Sequence, residues 1–347
     1  MTNKLKAAVI GLGVGHRHAD IYNSNKNVEL VALCDFNKKK LNLYKKKFKN
    51  CKFTTNADEI FKDPDINIVS IASYDNFHFN HILKAIKYKK NFFVEKPFCL
   101  NFFELNKICL ELRKKRNFSF SSNLILRNHP IFLDLKKRIT NNMLGKIYYC
   151  EGDYNYGRIK KILNGWRSNI PFYSVTLGGG IHLIDLIIWL TKSKVVSVVA
   201  EGNKIATKET KFKYFDLVSV LLKFSNGIVA KVTSNFASVT PHHHILNIYG
   251  TKSSFFYNNE KVKYYKSRSD INLEKINKKY LKSQKSELLK SFIDNIFYKK
   301  KRAIVSERQI IDLMSVCLSI EKSLKTRRRE KVKYANFKIN YKINSSK

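Results

Sequence analysis

The chain has 347 residues, 44% of them apolar, with six cysteines and a formal net charge of +39. This length exceeds one ordinary core and suits two domains. No apolar run approaches the roughly 18 residues of a membrane span, and no cysteine pair has the C-x-x-C spacing of a zinc or redox site. The charge does not single out a nucleic-acid or membrane binder. It is spread over "NKKKLNLYKKKFK", "LRKKR", "LKKR" and "KTRRREKVK", alongside a general abundance of residues with AT-rich codons, and no nucleic-acid motif accompanies it. The N-terminus "MTNKLKAAVIGLG" runs into a strand without an apolar signal region. A soluble, cytoplasmic protein is expected.

The first third alternates between strand and helix patterns. "KAAVIGL" (6–12) predicts a strand and the residues to about Asn23 a helix; "VELVALCD" (28–35) predicts a second strand, with a Lys-rich helix after it. "INIVSIAS" (66–73) is rich in β-branched residues, as in a strand buried on both faces. "NHILKAIKYKK" reads as helix, "NFFVEKP" as strand, 101–115 as helix and "FSFSSN" as strand. Such alternation predicts a doubly wound parallel sheet with helices on both faces. From about residue 145 the character changes. Long strands are expected in "KIYYCEGDYNYG", "KVVSVVAEGNKI", "DLVSVLLKFSNGIVAKVTSNFA" and "HHILNIYGTKSSFFYNN", with "SNGI" as a hairpin turn. "GGGIHLIDLIIWLT" (178–191) and about 283–326 read as helical. The expected architecture is α/β: a Rossmann domain over 1–122, and an α+β domain with a large, mostly antiparallel sheet over 123–330. Residues 331–347 are expected to form a polar, partly disordered tail.

"VIGLGVGHRHADIY" carries a dinucleotide signal. Gly11, Gly13 and Gly15 follow the first strand and open the first helix, whose N-terminus favours an anion. The third glycine of G-x-G-x-x-G would be residue 16, which is His16, so Gly15 lies one place early. Asp35 ends the second strand, 22 residues after Gly13, where a carboxylate binds a ribose 2′-hydroxyl and repels a 2′-phosphate. NAD is favoured over NADP, although Lys38, Lys39 and Lys40 follow closely.

"FFVEKPF" (92–98) ends a buried strand on Glu95, Lys96 and Pro97. Burying a lysine at the mouth of a sheet is costly unless the charge is paired or used. "PHHHILNI" invites a metal reading, but consecutive His242, His243 and His244 on a strand cannot all face one ion, and no metal is expected.

"GLGVGHRHA", "VALCDFN", "IVSIASYDNFHFNHILKAIKYKKNFFVEKPF", "LRNHP", "GWR" and "LGGGIHLIDLIIWL", in this order, resemble the Gfo/Idh/MocA oxidoreductases, the relatives of glucose-fructose oxidoreductase and inositol dehydrogenase. The resemblance spans nearly the whole chain, and E-K-P is its most specific motif. It implies an NAD-dependent oxidoreductase that moves hydride between nicotinamide and a secondary hydroxyl of a sugar, sugar acid, cyclitol or nucleotide sugar. It also implies a cis Lys96–Pro97 bond and a homodimer or homotetramer formed through the second sheet. Lys96 would stabilise charge on the reacting oxygen, and His182 would act as general base. Gly178 stands four residues before His182, where many relatives carry Asp. The resemblance further implies that Ser73, Asn76, His78 and Glu95 line the cofactor. Arg127, Trp166, Arg167 and Asp185 are candidates at the substrate, each with an alternative structural role. Two other functions are compatible with the same fold: a hydrolase or epimerase that recycles bound NAD, and a non-catalytic NAD-responsive regulator. A nucleic-acid binder would instead show affinity falling steeply with salt.

Overall fold

The computed structural model describes residues 4–114, 118–258, 261–269, 286–299 and 301–337. In chain order the first half runs β1 (Leu5–Ile10), α1 (His16–Ser24), β2 (Val28–Cys34), α2 (Lys38–Lys45), β3 (Lys52–Thr54), α3 (Ala57–Lys62), β4 (Ile68–Ile71), α4 (Asp75–Lys87), β5 (Asn91–Val94), α5 (Phe102–Lys114) and β6 (Phe120–Ser122). Among the described residues these strands form one parallel sheet in the order β3-β2-β1-β4-β5-β6. β4 is buried along its whole length, with its one polar residue, Ser70, paired with the Tyr22 hydroxyl at 2.9 Å. In β5, Phe92 and Phe93 are both buried, each contributing about 2–3 kcal/mol of transfer free energy. The sequence pattern did not mark the short β3 and α3; Asn56 fixes α3 by accepting from the Asp58 amide. β1 lies between β2 and β4, so the chain reverses direction there and opens a crevice at the carboxyl ends of the strands.

A 3-10 turn (Ile125–Asn128) leads to α6 (Pro130–Thr140), β7 (Ile147–Asn155), α7 (Lys160–Leu163), a 3-10 turn (Trp166–Ser168), a π-helical turn (Thr176–Gly180) and α8 (Ile181–Thr191). Then come β8 (Val195–Asn203), β9 (Leu217–Phe224), β10 (Val229–Asn235), β11 (His243–Gly250), β12 (Ser254–Tyr257), β13 (Val262–Tyr265), α9 (Glu287–Tyr298), α10 (Glu307–Thr326) and β14 (Glu330–Lys331). The second sheet has the order β13-β12-β11-β7-β10-β9-β8-β14, antiparallel except where β7 pairs with β10. The β9–β10 hairpin turns at Gly227, whose φ of +92° suits glycine. α8 is apolar on nearly every face and packs between the sheet and α10.

Two expectations gain detail. The last helical region divides into two helices: Lys299 takes a left-handed φ of 52°, and Ser306 starts α10 with a capping box closed by Gln309. The expected helix start near 283 lies outside the described residues. The beginning of the polar tail is folded: β14 pairs with β8, Phe337 packs on Phe120, and the backbone carbonyls of Asn336 and Phe337 accept from Arg113 and Arg308. The rest of that tail lies outside the described residues. α9 and α10 also return to the first half. α9 touches β5 and β6, and α10 touches α5 and β6 as well as α8 and β8. No helix among the described residues is long and apolar enough to cross a membrane.

Candidate active site

The glycine loop is shaped by close approach. Gly11 has a φ of +90°, and a Cβ there would lie 2.3 Å from the Ala72 carbonyl oxygen. A Cβ at Gly15 would meet the Gly11 oxygen at 2.0 Å, whereas Gly13 has nothing within 4 Å. Gly13 therefore leaves room above the loop, and Gly11 lets the loop pass the end of β4. Gly15 is buried where α1 packs on β1, close to Val9 and Ala72. Asp35 braces the loop: Oδ2 accepts from the Leu12 amide at 2.8 Å and Oδ1 from the Asn37 amide at 2.9 Å, with Lys40 Nζ 3.9 Å away. A carboxylate has about four acceptor positions, so Asp35 retains capacity for a ribose diol. These features, Gly13's open space and Asp35's remaining lone pairs, fit a dinucleotide.

The loop after β4 supplies the next wall. Ser73 borders the cleft and its Oγ lies 3.0 Å from His81 Nδ1. Tyr74 stacks on Trp166 at 4.7 Å and meets Phe36 edge-on at 5.5 Å, so aromatic rings from both halves share this wall. Asn76 stands in the first turn of α4 with its Oδ1 buried, next to Asp75, which borders the cleft. One cofactor assignment is corrected here. His78 is fully buried behind the wall, its Nδ1 2.7 Å from the Pro97 oxygen and its Nε2 3.1 Å from the Ser73 oxygen. It ties the Ser73 loop to the E-K-P turn.

Glu95 reaches the same cleft, but its carboxylate is committed. Oε1 accepts from Asn123 Nδ2 at 2.7 Å and sits 3.2 Å from His18 Nε2. Burial pushes its pKa up, and the hydrogen bonds and charge from His18, with Asn123, more than reverse this, holding it at about 2. Glu95 is therefore a charged strut at the end of β5. The Lys96–Pro97 bond is cis. Lys96 Nζ crosses between the halves to donate to the Gly178 carbonyl at 2.6 Å. Burial lowers its pKa, opposed by Asp75 and Glu95.

Lys96 forms a wall shared by two cavities. One, of about 300 Å³, contains the glycine loop, Asp35, Ser73, Asp75, Trp166, Arg167 and Tyr173. The other, of about 330 Å³, is bordered by His18, Glu95, Lys96, Asn123 and His182. His182 is 5% exposed, and its Nδ1 is buried without a hydrogen-bond partner among the described residues. Burial, then the positive charge of Lys96, hold its pKa well below 6.5, so the imidazole is neutral near neutral pH. Lys96 and His182 thus face one space, with the ammonium a donor and the imidazole able to accept a proton.

Arg127 and Asp185 are not at the cleft, and their substrate-binding assignment is corrected. Each is 1% exposed. They form a two-point pair, Nε to Oδ2 at 2.8 Å and Nη2 to Oδ1 at 2.6 Å, and Nη1 donates to Gln309 Oε1 at 2.7 Å. The pair locks α8, and with it His182, to the 3-10 turn and the start of α10. Trp166 and Arg167 do border the cleft, with the guanidinium 4.6 Å over the indole ring. Tyr173, which the sequence pattern did not mark, accepts from Arg167 Nε at 3.0 Å. It sits five residues before Gly178, in coil just ahead of the π-helical turn. His242 and His244 share one face of the sheet, 5.0 Å apart, and no group of three or more His, Cys, Asp or Glu among the described residues could hold a metal.

Comparison with known proteins agrees with this geometry. The oxidoreductase family profile with an NAD-binding Rossmann fold matches residues 5–122, and the GFO/IDH/MocA C-terminal domain profile matches residues 132–256. The chain is 24% identical to myo-inositol 2-dehydrogenase of Thermotoga maritima, over 74% of this chain and 75% of that protein. It is 28% identical to glucose-6-phosphate 3-dehydrogenase of Bacillus subtilis, over 77% and 78%. Its fold superposes with a TM-score of 0.80 on scyllo-inositol dehydrogenase from Lactobacillus casei with bound NAD(H) and scyllo-inositol, at 18% identity, covering 95% of this chain and 99% of that one. With both domains matched in order and the E-K-P lysine at the mouth of the Rossmann crevice, the chain belongs to the Gfo/Idh/MocA family of NAD-binding oxidoreductases.

Proposed function

We propose that this protein moves hydride between the nicotinamide of NAD and a secondary hydroxyl of a sugar, sugar acid, cyclitol or nucleotide sugar. The observation that carries the reading is the position of Lys96, in one wall of both the glycine-loop cleft and the cavity that His182 borders. The cofactor supplies the hydride acceptor. Gly13 and Asp35 would hold it, and the carboxylate at residue 35 favours NAD over a 2′-phosphorylated cofactor. Lys96 donates a hydrogen bond to the reacting oxygen, and His182 takes the hydroxyl proton. Burial disfavours a positive charge on either group, and an oxygen gaining negative charge between them relieves that cost.

The test is nicotinamide absorbance with wild type and Lys96→Ala, offered NAD or NADP and a panel of sugars, cyclitols, sugar acids and UDP-sugars. Wild type reduces NAD with at least one compound, and Lys96→Ala lowers kcat by about 10³-fold. Equal rates for the two proteins would overturn the reading.

We also propose self-association as a homodimer or homotetramer through the open face of the second sheet. Tyr149, Tyr249, Phe256 and Tyr265 form a ladder of ring contacts across β7, β11, β12 and β13, and Leu221 on β9 is 49% exposed. Solution mass by light scattering should be a multiple of the chain mass, and Leu221→Lys should shift it toward the monomer. A monomeric wild type contradicts this proposal.

A further inference from the structure

Gly178 lies beside a second polar group whose role the reading above leaves open. A Cβ built at Gly178 would lie 2.2 Å from Tyr173 Oη and 2.7 Å from Cζ. The phenol therefore fills the space into which any side chain at position 178 would project. Oη accepts the Arg167 Nε hydrogen at 3.0 Å, and that guanidinium is pinned over Trp166. A hydroxyl oxygen that accepts this bond still has its own proton to donate. Among the described residues that proton has no protein acceptor. Tyr173 borders the same cleft as Lys96, whose ammonium holds the carbonyl of Gly178 itself. Lysine and phenol thus converge on one residue from two sides.

We propose that Tyr173 is a catalytic residue: its hydroxyl donates a second hydrogen bond, beside that of Lys96, to the oxygen of the reacting carbinol. This rests on the dehydrogenase reading. A neutral donor would then occupy the place where a carboxylate stands in similar proteins, and the reacting oxygen would meet two donors. During oxidation the carbinol C–H bond breaks and its electron pair leaves with the hydrogen to nicotinamide. The O–H proton passes to His182 as the C=O bond forms. Tyr173 keeps its proton throughout, and its hydrogen bond shortens as negative charge gathers on the oxygen. Burial raises the pKa of the phenol, although Arg167 opposes this, so the hydroxyl is the species present.

The decisive variant is Tyr173→Phe, which keeps the ring and removes the donor together with the acceptor of the Arg167 hydrogen bond. It is assayed beside wild type on the panel compound that wild type turns over best. Calorimetric NAD affinity and melting temperature are measured on both proteins. The expected result is a fall in kcat of about 10- to 100-fold, with NAD affinity unchanged and a modestly lower melting temperature from the lost Arg167 hydrogen bond. A C–H to C–D isotope effect on kcat at least as large as in wild type should accompany it. Undiminished kcat in Tyr173→Phe overturns the proposal and leaves the dehydrogenase reading intact. Loss of NAD affinity alongside the loss of turnover assigns Tyr173 to structure and also overturns it. Failure of wild type to reduce NAD with any panel compound overturns the dehydrogenase reading itself, and this inference with it.

Discussion

The two halves of the molecule deliver their cleft residues by different means. In the first half, the loop Gly11–Gly13, Asp35, Ser73, Asp75, Glu95 and Lys96 all lie just beyond the carboxyl ends of adjacent parallel strands. A parallel sheet must gather those positions on one edge, so side chains far apart in sequence meet without special turns. In the second half, Trp166, Arg167, Tyr173 and Gly178 come from 3-10, coil and π-helical backbone, and His182 from the first turn of α8. Their positions depend on a few specific contacts. One half places its groups by topology, and the other by individual interactions such as the Arg127–Asp185 pair.

Removing those interactions should therefore disturb the second half most. The largest effect is expected from Arg127→Ala. It leaves Asp185 buried without its partner and strips a hydrogen bond from Gln309, which should cost about 3–5 kcal/mol. Denaturant midpoints measure this. A loss under 1 kcal/mol would show that α8 is held by packing alone.

Glu95 gives the corresponding test in the first half. Its pKa falls from 4.5 to about 2 on folding. A depressed carboxylate contributes stability that is fully present above the unfolded value and disappears as pH falls through the folded one. Stability should therefore decline between pH 4.5 and 2. The shift of about 2.5 units corresponds to about 3 kcal/mol at 1.36 kcal/mol per unit. Glu95→Gln should flatten that part of the pH–stability curve. An unchanged slope would show that the His18–Asn123 clasp contributes nothing.

Gly178→Ala is the smallest of the three. Its methyl group would collide with the Tyr173 hydroxyl, costing about 1–3 kcal/mol of overpacking. Adding Tyr173→Phe removes the nearest atom and should recover part of that loss. No recovery in the double variant would mean that the ring, not the hydroxyl, sets the limit.

The same contrast explains what the sequence made legible. β1, β2, β4 and β5 announced themselves as apolar runs ending at a glycine loop, an aspartate and E-K-P. The parallel sheet then placed those ends together. Asp75 was not marked, because the turn into α4 decides which side chain faces the cleft. His78 was read as a cofactor contact because its spacing was visible, while the two carbonyls that surround its ring were not. Arg127 and Asp185 are 58 residues apart, and nothing local in either segment reveals that each satisfies the other. Tyr173 carries no sequence signal, because its importance comes from the missing side chain at position 178 and from a turn type that no short pattern encodes.

α10 has a mechanical consequence. Near its start, Glu307 accepts from the Phe120 amide of the first sheet, and Gln309 holds Arg127. Further along, Glu321 accepts from Ser174 in the segment between Tyr173 and Gly178, and Ser323 accepts from the Ala200 amide of the second sheet. One continuous rod is bolted to both halves and to the segment that carries the phenol. A hinge between the halves would have to break these fastenings together, so α10 acts as a brace against changes in the span from Lys96 to Gly178.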